Sequence, residues 1–277
     1  MWSLYDLVAE GLTLSIVDVG AGIGEQPVYQ PLVDAGRARL IGFEPNREHC
    51  DALNVQYGPP HRFFPHFVGD GRRATFHETN WSLTGSLFEP NTPLLERFQN
   101  LAELTKPVAA HPVDTVRIDD IPEIDDVDLF KIDVQGSEVS VLSNASRALS
   151  RAAFVMTEVE FVPLYKGQPL FADVDSLVRG AGFQFHTFAS YGGRAFKPIV
   201  PNGNVDAPMN QLLWADALYA RDWMRLDLLD ADKLRKYAVL AHDLFQSFDL
   251  AHVVLSELDR RNGSSIAATY LSKLAGG

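Results

Sequence analysis

The sequence predicts an α/β fold: a largely parallel central sheet with helices on both faces, an inserted hairpin and loop segment, and a C-terminal helical appendage. Three observations predict it. From residue 14 to about 220, short β-branched apolar runs alternate with stretches of helical period. Most of those runs are continuously apolar, as strands covered on both faces are. After Arg221 the strand signals stop and helical periodicity continues alone.

Taken in order, the strand candidates are Leu14 to Val19, Arg39 to Phe43, Arg62 to Val68, Val127 to Ile132, Phe154 to Val159, Phe183 to Phe188 and Ala217 to Arg221. Helical spacing fills the gaps at Glu25 to Gly36, Arg47 to Gln56, Ser137 to Leu149 and Phe171 to Gly180. Pro27 suits a first turn, and Gly36 and Gly182 suit helix ends. The segment from Asp70 to Pro112 breaks the rhythm with Gly71, Gly85, Pro90 and Pro93. It reads as an inserted lid or substrate wall with a hairpin around Ala74 to Phe88. In the tail, Leu234, Tyr237, Ala238, Ala241, Leu244, Phe245 and Phe248 recur at helical spacing, and so do Ala251, Val254, Leu255 and Leu258. Asn262-Gly263 is a break, with Ser264 or Ser265 as the cap of a last helix. The expected division is a main domain over residues 1–221 and the helical appendage over 222–277.

Composition narrows the class. Of 277 residues, 46% are hydrophobic and 22% charged, so a full core can be buried. The net charge of −12 repels phosphate backbones and anionic lipid, which argues against nucleic-acid and membrane partners. Cys50 is the only cysteine, so the chain forms no internal disulfide and no Cys-based zinc cluster. The first residues carry an acid and no basic run, and no apolar stretch is long enough to span a bilayer. A cytoplasmic location is expected.

The strongest local signal is V-D-V-G-A-G-I-G at 17–24, a strand running into alternate glycines ahead of a helix. Gly20, Gly22 and Gly24 let the backbone turn and let a ligand lie against it. Asp18 precedes this loop and Glu25 follows it, and a pyrophosphate would be repelled between them. S-adenosylmethionine has no phosphate and carries an ammonium and a sulfonium, so it is the expected cofactor. Glu44, at the end of the second strand, stands where a ribose offers two hydroxyls to a carboxylate. Its alternative role is to cap the helix after Pro45-Asn46.

These residues resemble the FkbM-type S-adenosylmethionine-dependent methyltransferases. Four blocks carry the likeness: V-D-V-G-A-G-I-G at 17–24, G-F-E-P-N at 42–46, V-D-L-F-K-I-D-V-Q-G-S-E-V-S-V-L at 127–142 and E-V-E-F-V-P-L-Y-K-G-Q-P-L-F at 158–171. D-A-L-Y-A-R at 216–221 resembles the family's last strand. The resemblance implies a Rossmann-like class I methyltransferase sheet and O-methylation of a sugar, glycan or natural-product small molecule. Two departures stand out: Gly22 where the family's loop usually has Asn, and Gln135 where the family has an acid. Helices after about residue 222 lie outside the likeness.

Ligands of open α/β sheets bind beyond the carboxyl ends of the strands, so acids there are the catalytic candidates. Asp133 and Glu158 close two strands expected to be neighbours, and Glu160 shares the face of Glu158. They are expected to position the acceptor hydroxyl, one of them serving as general base. Asp133 or Glu138 could instead cap the following helix. A magnesium ion between adjacent carboxylates would polarise the hydroxyl, but no third ligand stands out. Asp70 is a candidate acceptor for adenine's amino group, and equally a turn residue beside Gly71. The resemblance puts Ser86 close to the cofactor. Trp81, Phe88, Tyr165 and Phe171 are candidates for a stacking wall. Two rivals stand beside this reading: a nicotinamide oxidoreductase, and a catalytically altered partner module. The tail's apolar faces predict burial against the main domain or against a second copy, making a homodimer a fair expectation.

Overall fold

Alternation along the first strand sets the architecture. Leu14 and Ile16 enter one hydrophobic core, and Val17 and Val19 enter another on the opposite side. The computed structural model describes residues 2–22 and 26–276. In chain order its strands are β1 (Leu14–Val19), β2 (Ala38–Phe43), β3 (Arg62–Phe64), β4 (Phe67–Val68), β5 (Arg73–Thr79), β6 (Pro107–Val116), β7 (Leu129–Ile132), β8 (Phe154–Glu160), β9 (Phe183–Gly192) and β10 (Trp214–Arg221). Seven of them form one Rossmann-like sheet in the order β3-β2-β1-β7-β8-β10-β9. Strands β3, β2, β1, β7 and β8 are parallel, and β10 runs antiparallel to both its neighbours. From β1 the chain builds outward through β2 and β3, then returns to β7 on the other side. That reversal opens a crevice between the tips of β1 and β7, where ligands of such sheets bind.

The helices are α1 (Tyr5–Val8), α2 (Gln30–Asp34), α3 (Arg47–Tyr57), α4 (Thr92–Leu95), α5 (Leu101–Leu104), α6 (Glu138–Ser143), α7 (Ser146–Arg151), α8 (Phe171–Gly180), α9 (Ala231–Val239), α10 (Phe248–Asn262) and α11 (Ile266–Gly276). Residues of α6, α7 and α8 cover the sheet face that holds Val17, Phe130 and Val155. The other face, with Leu14, Leu129, Phe154 and Leu218, is covered by α2, α3 and the C-terminal helices. Leu234, Tyr237, Val254 and Leu258 are fully buried in that second core. The tail's apolar stripes are therefore covered within this chain. Lys236 adds an ionic anchor, its Nζ lying 3.0 Å from both Asp126 Oδ2 and the fully buried Asp128 Oδ2.

Several elements differ from their sequence expectation for local reasons. The apolar run Arg62 to Val68 is two strands, because it leaves the large sheet after Phe64 and β4 pairs with β6 instead. Within the hairpin expected around Ala74 to Phe88, an antiparallel bridge joins His77 to Ser86, but the long ladder of β5 is with β6, beyond an excursion holding α4 and α5. The helix expected over Ser137 to Leu149 is broken between α6 and α7 at Asn144-Ala145, and among the described residues of the expected Glu25 to Gly36 helix, Gln30–Asp34 are helical. Gly263, at φ 65°, ends α10 as the Asn-Gly pair suggested. The cap of α11 comes from Asp259, whose carboxylate accepts from the backbone N–H of Ile266 and Ala267 at 2.9 and 2.8 Å. Among the described residues, no helix is long and apolar enough to cross a membrane.

Candidate active site

At the tips of β1, β2, β7 and β8 lies a cleft of about 1140 Å³. The insertion forms its opposite wall through Phe76, Glu78 and the 79–87 segment. Gly20, with φ +89°, makes the turn out of β1; a Cβ there would sit 1.9 Å from the backbone oxygen of Asp133. Gly22 lines the cleft, and among the described residues a Cβ on it would meet nothing nearer than Leu83 Cδ2 at 4.0 Å. Gly24 and Glu25 lie outside the described residues.

Glu44 stands at the end of β2 on the cleft wall. Burial raises its carboxyl above the usual value, against the pull of the Asn46 N–H that donates to Oε1 at 2.7 Å. The helix that follows is capped by Asn46, whose side chain accepts from the His49 N–H at 3.1 Å, so Glu44 is not needed as the cap. Asp18 is turned away. It is 2% exposed and held by the Tyr29 hydroxyl and by Lys131 Nζ at 3.0 Å. It does not line the cleft. Asp70 also lies off the lining and shapes a turn, accepting from the Arg72 N–H at 3.0 Å.

The tips of β7 and β8 bring Asp133, Glu158 and Glu160 onto one cleft surface. Gln135, unassigned in the sequence reading, joins two of them: its Nε2 donates to Asp133 Oδ1 at 2.9 Å and to Glu158 Oε2 at 2.7 Å. The Tyr165 hydroxyl lies 3.1 Å from Gln135 Oε1 and 3.0 Å from the Thr84 carbonyl. Ser86 lines the same wall, but its hydroxyl donates to the Gln135 carbonyl at 2.6 Å and accepts from the Phe88 N–H at 2.9 Å. Ser86 thereby ties the insertion to the β7 loop. Gln135 carried one legible signal, the following Gly136 in a turn-forming pair; that its side chain would fold back over two acids had none.

Burial pushes the carboxyls of Glu158 and Glu160 well up, and the neighbouring acids push in the same direction, Asp133 first for Glu158 and Glu138 for Glu160. Behind them, buried Glu138 accepts from the N–H of Val134 at 3.0 Å and of Gly136 at 3.2 Å. Burial lifts it to about 7. Glu138 thus pins the β7 loop. Glu138, Glu158 and Glu160 are all held toward the protonated form.

Trp81 and Tyr165 line the cleft, whereas Phe171 packs in the core against Phe161, Phe185 and Phe188, and Phe88 is absent from the lining. Sequence reasoning also passed over Arg194 and Trp214, which reach the cleft from β10 and the loop before it. Among the described residues, no group of three or more His, Cys, Asp and Glu side chains is arranged to hold a metal ion.

Comparison with known proteins gives a consistent picture. A family model described as a methyltransferase FkbM domain matches residues 18–185. The 2-O-methyltransferase NoeI of Sinorhizobium fredii is 30% identical over 176 residues, which cover 58% of this chain and 70% of that protein. Among solved structures, the precorrin-6y C5,15-methyltransferase from Geobacter metallireducens superposes with a TM-score of 0.36 at 9% identity, over 79% of this chain and 85% of that one. The plantazolicin methyltransferase BpumL, in complex with SAH, gives 0.39 at 12% identity over 78% of this chain and 79% of that one.

Proposed function

Because the chain belongs to the FkbM methyltransferase family, whose members are S-adenosylmethionine-dependent, we propose that it methylates a hydroxyl of a sugar, glycan or natural-product small molecule. The family match displaces the nicotinamide reading. The methyltransferase unit is taken as residues 1–221, with 222–277 as the helical segment closing the second face of its sheet. NoeI, a 2-O-methyltransferase by name, supports transfer to oxygen.

The cleft residues fit the cofactor. Five acidic side chains, Glu44, Glu78, Asp133, Glu158 and Glu160, line it against one arginine, Arg194; even with Glu158 and Glu160 held toward the neutral form, this suits a ligand bearing positive charge better than one bearing phosphates. Gly22 leaves the floor free of side chains. Glu44 would accept from the ribose hydroxyls, and Gly20 would hold the turn beneath them. When bound, S-adenosylmethionine supplies a methyl group made electrophilic by its sulfonium.

The observation that carries the reading is the carboxyl pair Asp133 and Glu158, opening onto the same cleft as Gly22 and Glu44. Either carboxylate, when ionised, accepts the acceptor's hydroxyl proton and aligns its oxygen. A carboxyl lifted by burial is the stronger base once it has lost its own proton. Glu160 lies two residues along on the same strand face and offers a further acceptor to a polyhydroxylated ligand.

Calorimetric titration with S-adenosylhomocysteine, followed by transfer of labelled methyl to panels of sugars, glycans and hydroxylated natural products, tests this. Binding and label in an ether linkage are expected. No binding, or label on nitrogen or carbon, overturns it.

A further inference from the structure

Gln135 occupies the left-handed region, with φ 54°, and precedes Gly136 at φ 102°. A non-glycine residue in this region is uncommon and needs surroundings that hold it there. Here contacts hold both the main-chain oxygen and the side chain. The backbone oxygen takes the Ser86 hydroxyl at 2.6 Å. The side-chain oxygen faces the Tyr165 hydroxyl at 3.1 Å, so the amide nitrogen must face the acids. Both of its hydrogens are used, one toward Asp133 Oδ1 and one toward Glu158 Oε2. The two acids are also within side-chain hydrogen-bond reach of one another, and both line the cleft.

We propose that Gln135 is the positioning residue of the carboxyl pair: its amide ties one oxygen of each acid and so holds the two side by side on the cleft wall that the acceptor hydroxyl would face. This rests on the function proposed above. Two carboxylates this close repel one another, and two N–H donors between them favour the ionised form that can take a proton. Tyr165 fixes the amide's direction and so acts one step behind it. Without the amide, Glu158 would hold its proton to higher pH and the two acids would lose their common anchor.

The test is the pH dependence of kcat for methyl transfer in wild type, Gln135→Met and Tyr165→Phe, with S-adenosylhomocysteine affinity measured in each. Methionine keeps the length of glutamine and removes its donors. Gln135→Met is expected to lower kcat about tenfold or more and to move the acidic limb up by about one pH unit, with affinity for S-adenosylhomocysteine held within about threefold. Tyr165→Phe is expected to shift the limb the same way by less. If Gln135→Met fails to fold, the Tyr165→Phe profile decides. An unmoved limb in a folded variant overturns the proposal, as does a loss confined to KM. Failure of the functional reading looks different: Asp133→Asn and Glu158→Gln would then each leave wild-type turnover unchanged.

Discussion

Lys131 Nζ lies 3.0 Å from Asp18 Oδ1, directly across the ladder that pairs β1 with β7. Both side chains are nearly enclosed, at 16% and 2% exposure. Burial alone would lower the Lys131 ammonium, but Asp18 and Asp133 outweigh it and raise it. The acid that precedes the glycine loop is thus occupied within the sheet, with Tyr29 as a second donor. Lys131→Met leaves a buried carboxylate without its counter-charge and is expected to lower unfolding free energy by about 3 kcal/mol, read by urea denaturation. Adding Asp18→Asn should restore about half of that loss or more.

The two described glycines of the loop separate folding from binding. Gly20→Ala meets a backbone oxygen and a positive φ together, and is expected to destabilise by about 3 kcal/mol or more, or to yield insoluble protein. Gly22→Ala meets, among the described residues, only Leu83 Cδ2 at the ordinary contact distance of 4.0 Å and should melt close to wild type. Its added methyl projects from the cleft floor, so affinity for S-adenosylhomocysteine should fall about tenfold or more. Melting curves and titrations on both variants check the contrast.

Glu44→Gln keeps the shape of the side chain and removes its charge. Ribose hydroxyls would then face one weakened acceptor, and S-adenosylhomocysteine affinity is expected to fall about tenfold. Asn46 caps the next helix independently, so the melting temperature should not change. An unchanged dissociation constant would remove Glu44 from the proposed site.

Glu138 predicts a pH dependence of stability. Its folded value of about 7 lies above the ordinary 4.5, so the native chain binds an extra proton between those limits. The stabilisation is full below about pH 4.5 and is lost as pH rises through about 7. Between pH 5 and pH 8, wild type should lose a few degrees of melting temperature relative to Glu138→Gln, which has no proton to release there. Parallel melting curves across that range would refute the assignment.

Periodicity made the large sheet legible. Leu14 to Val19 and Phe154 to Val159 are uninterrupted apolar runs because both faces of the sheet are covered, and those strands are found at those residues to within a position. The inserted sheet was harder to read. Phe76 and its cross-strand partner His111 are separated by a long excursion, and pairing between distant segments leaves little local trace. Of the acids named from strand ends, Glu44, Asp133, Glu158 and Glu160 reach the cleft, whereas Asp18 and Asp70 do not. The difference is one of side-chain direction. Asp18 falls on the same strand face as Leu14 and Ile16 and points under the helices.

The linear sequence by itself determined the strands of the large sheet, the order of chemistry along them and the family, because apolar periodicity and the glycine loop are local properties of the chain. Only the tertiary structure decided which acids face one another and which are neutralised by a neighbour. Gln135 lies between Asp133 and Glu158 because β7 and β8 are adjacent and the loop takes a left-handed turn. Tyr165 and Ser86 lock it there from segments 30 and 49 residues away. Such contacts are set by packing at long range, and no window of sequence contains them.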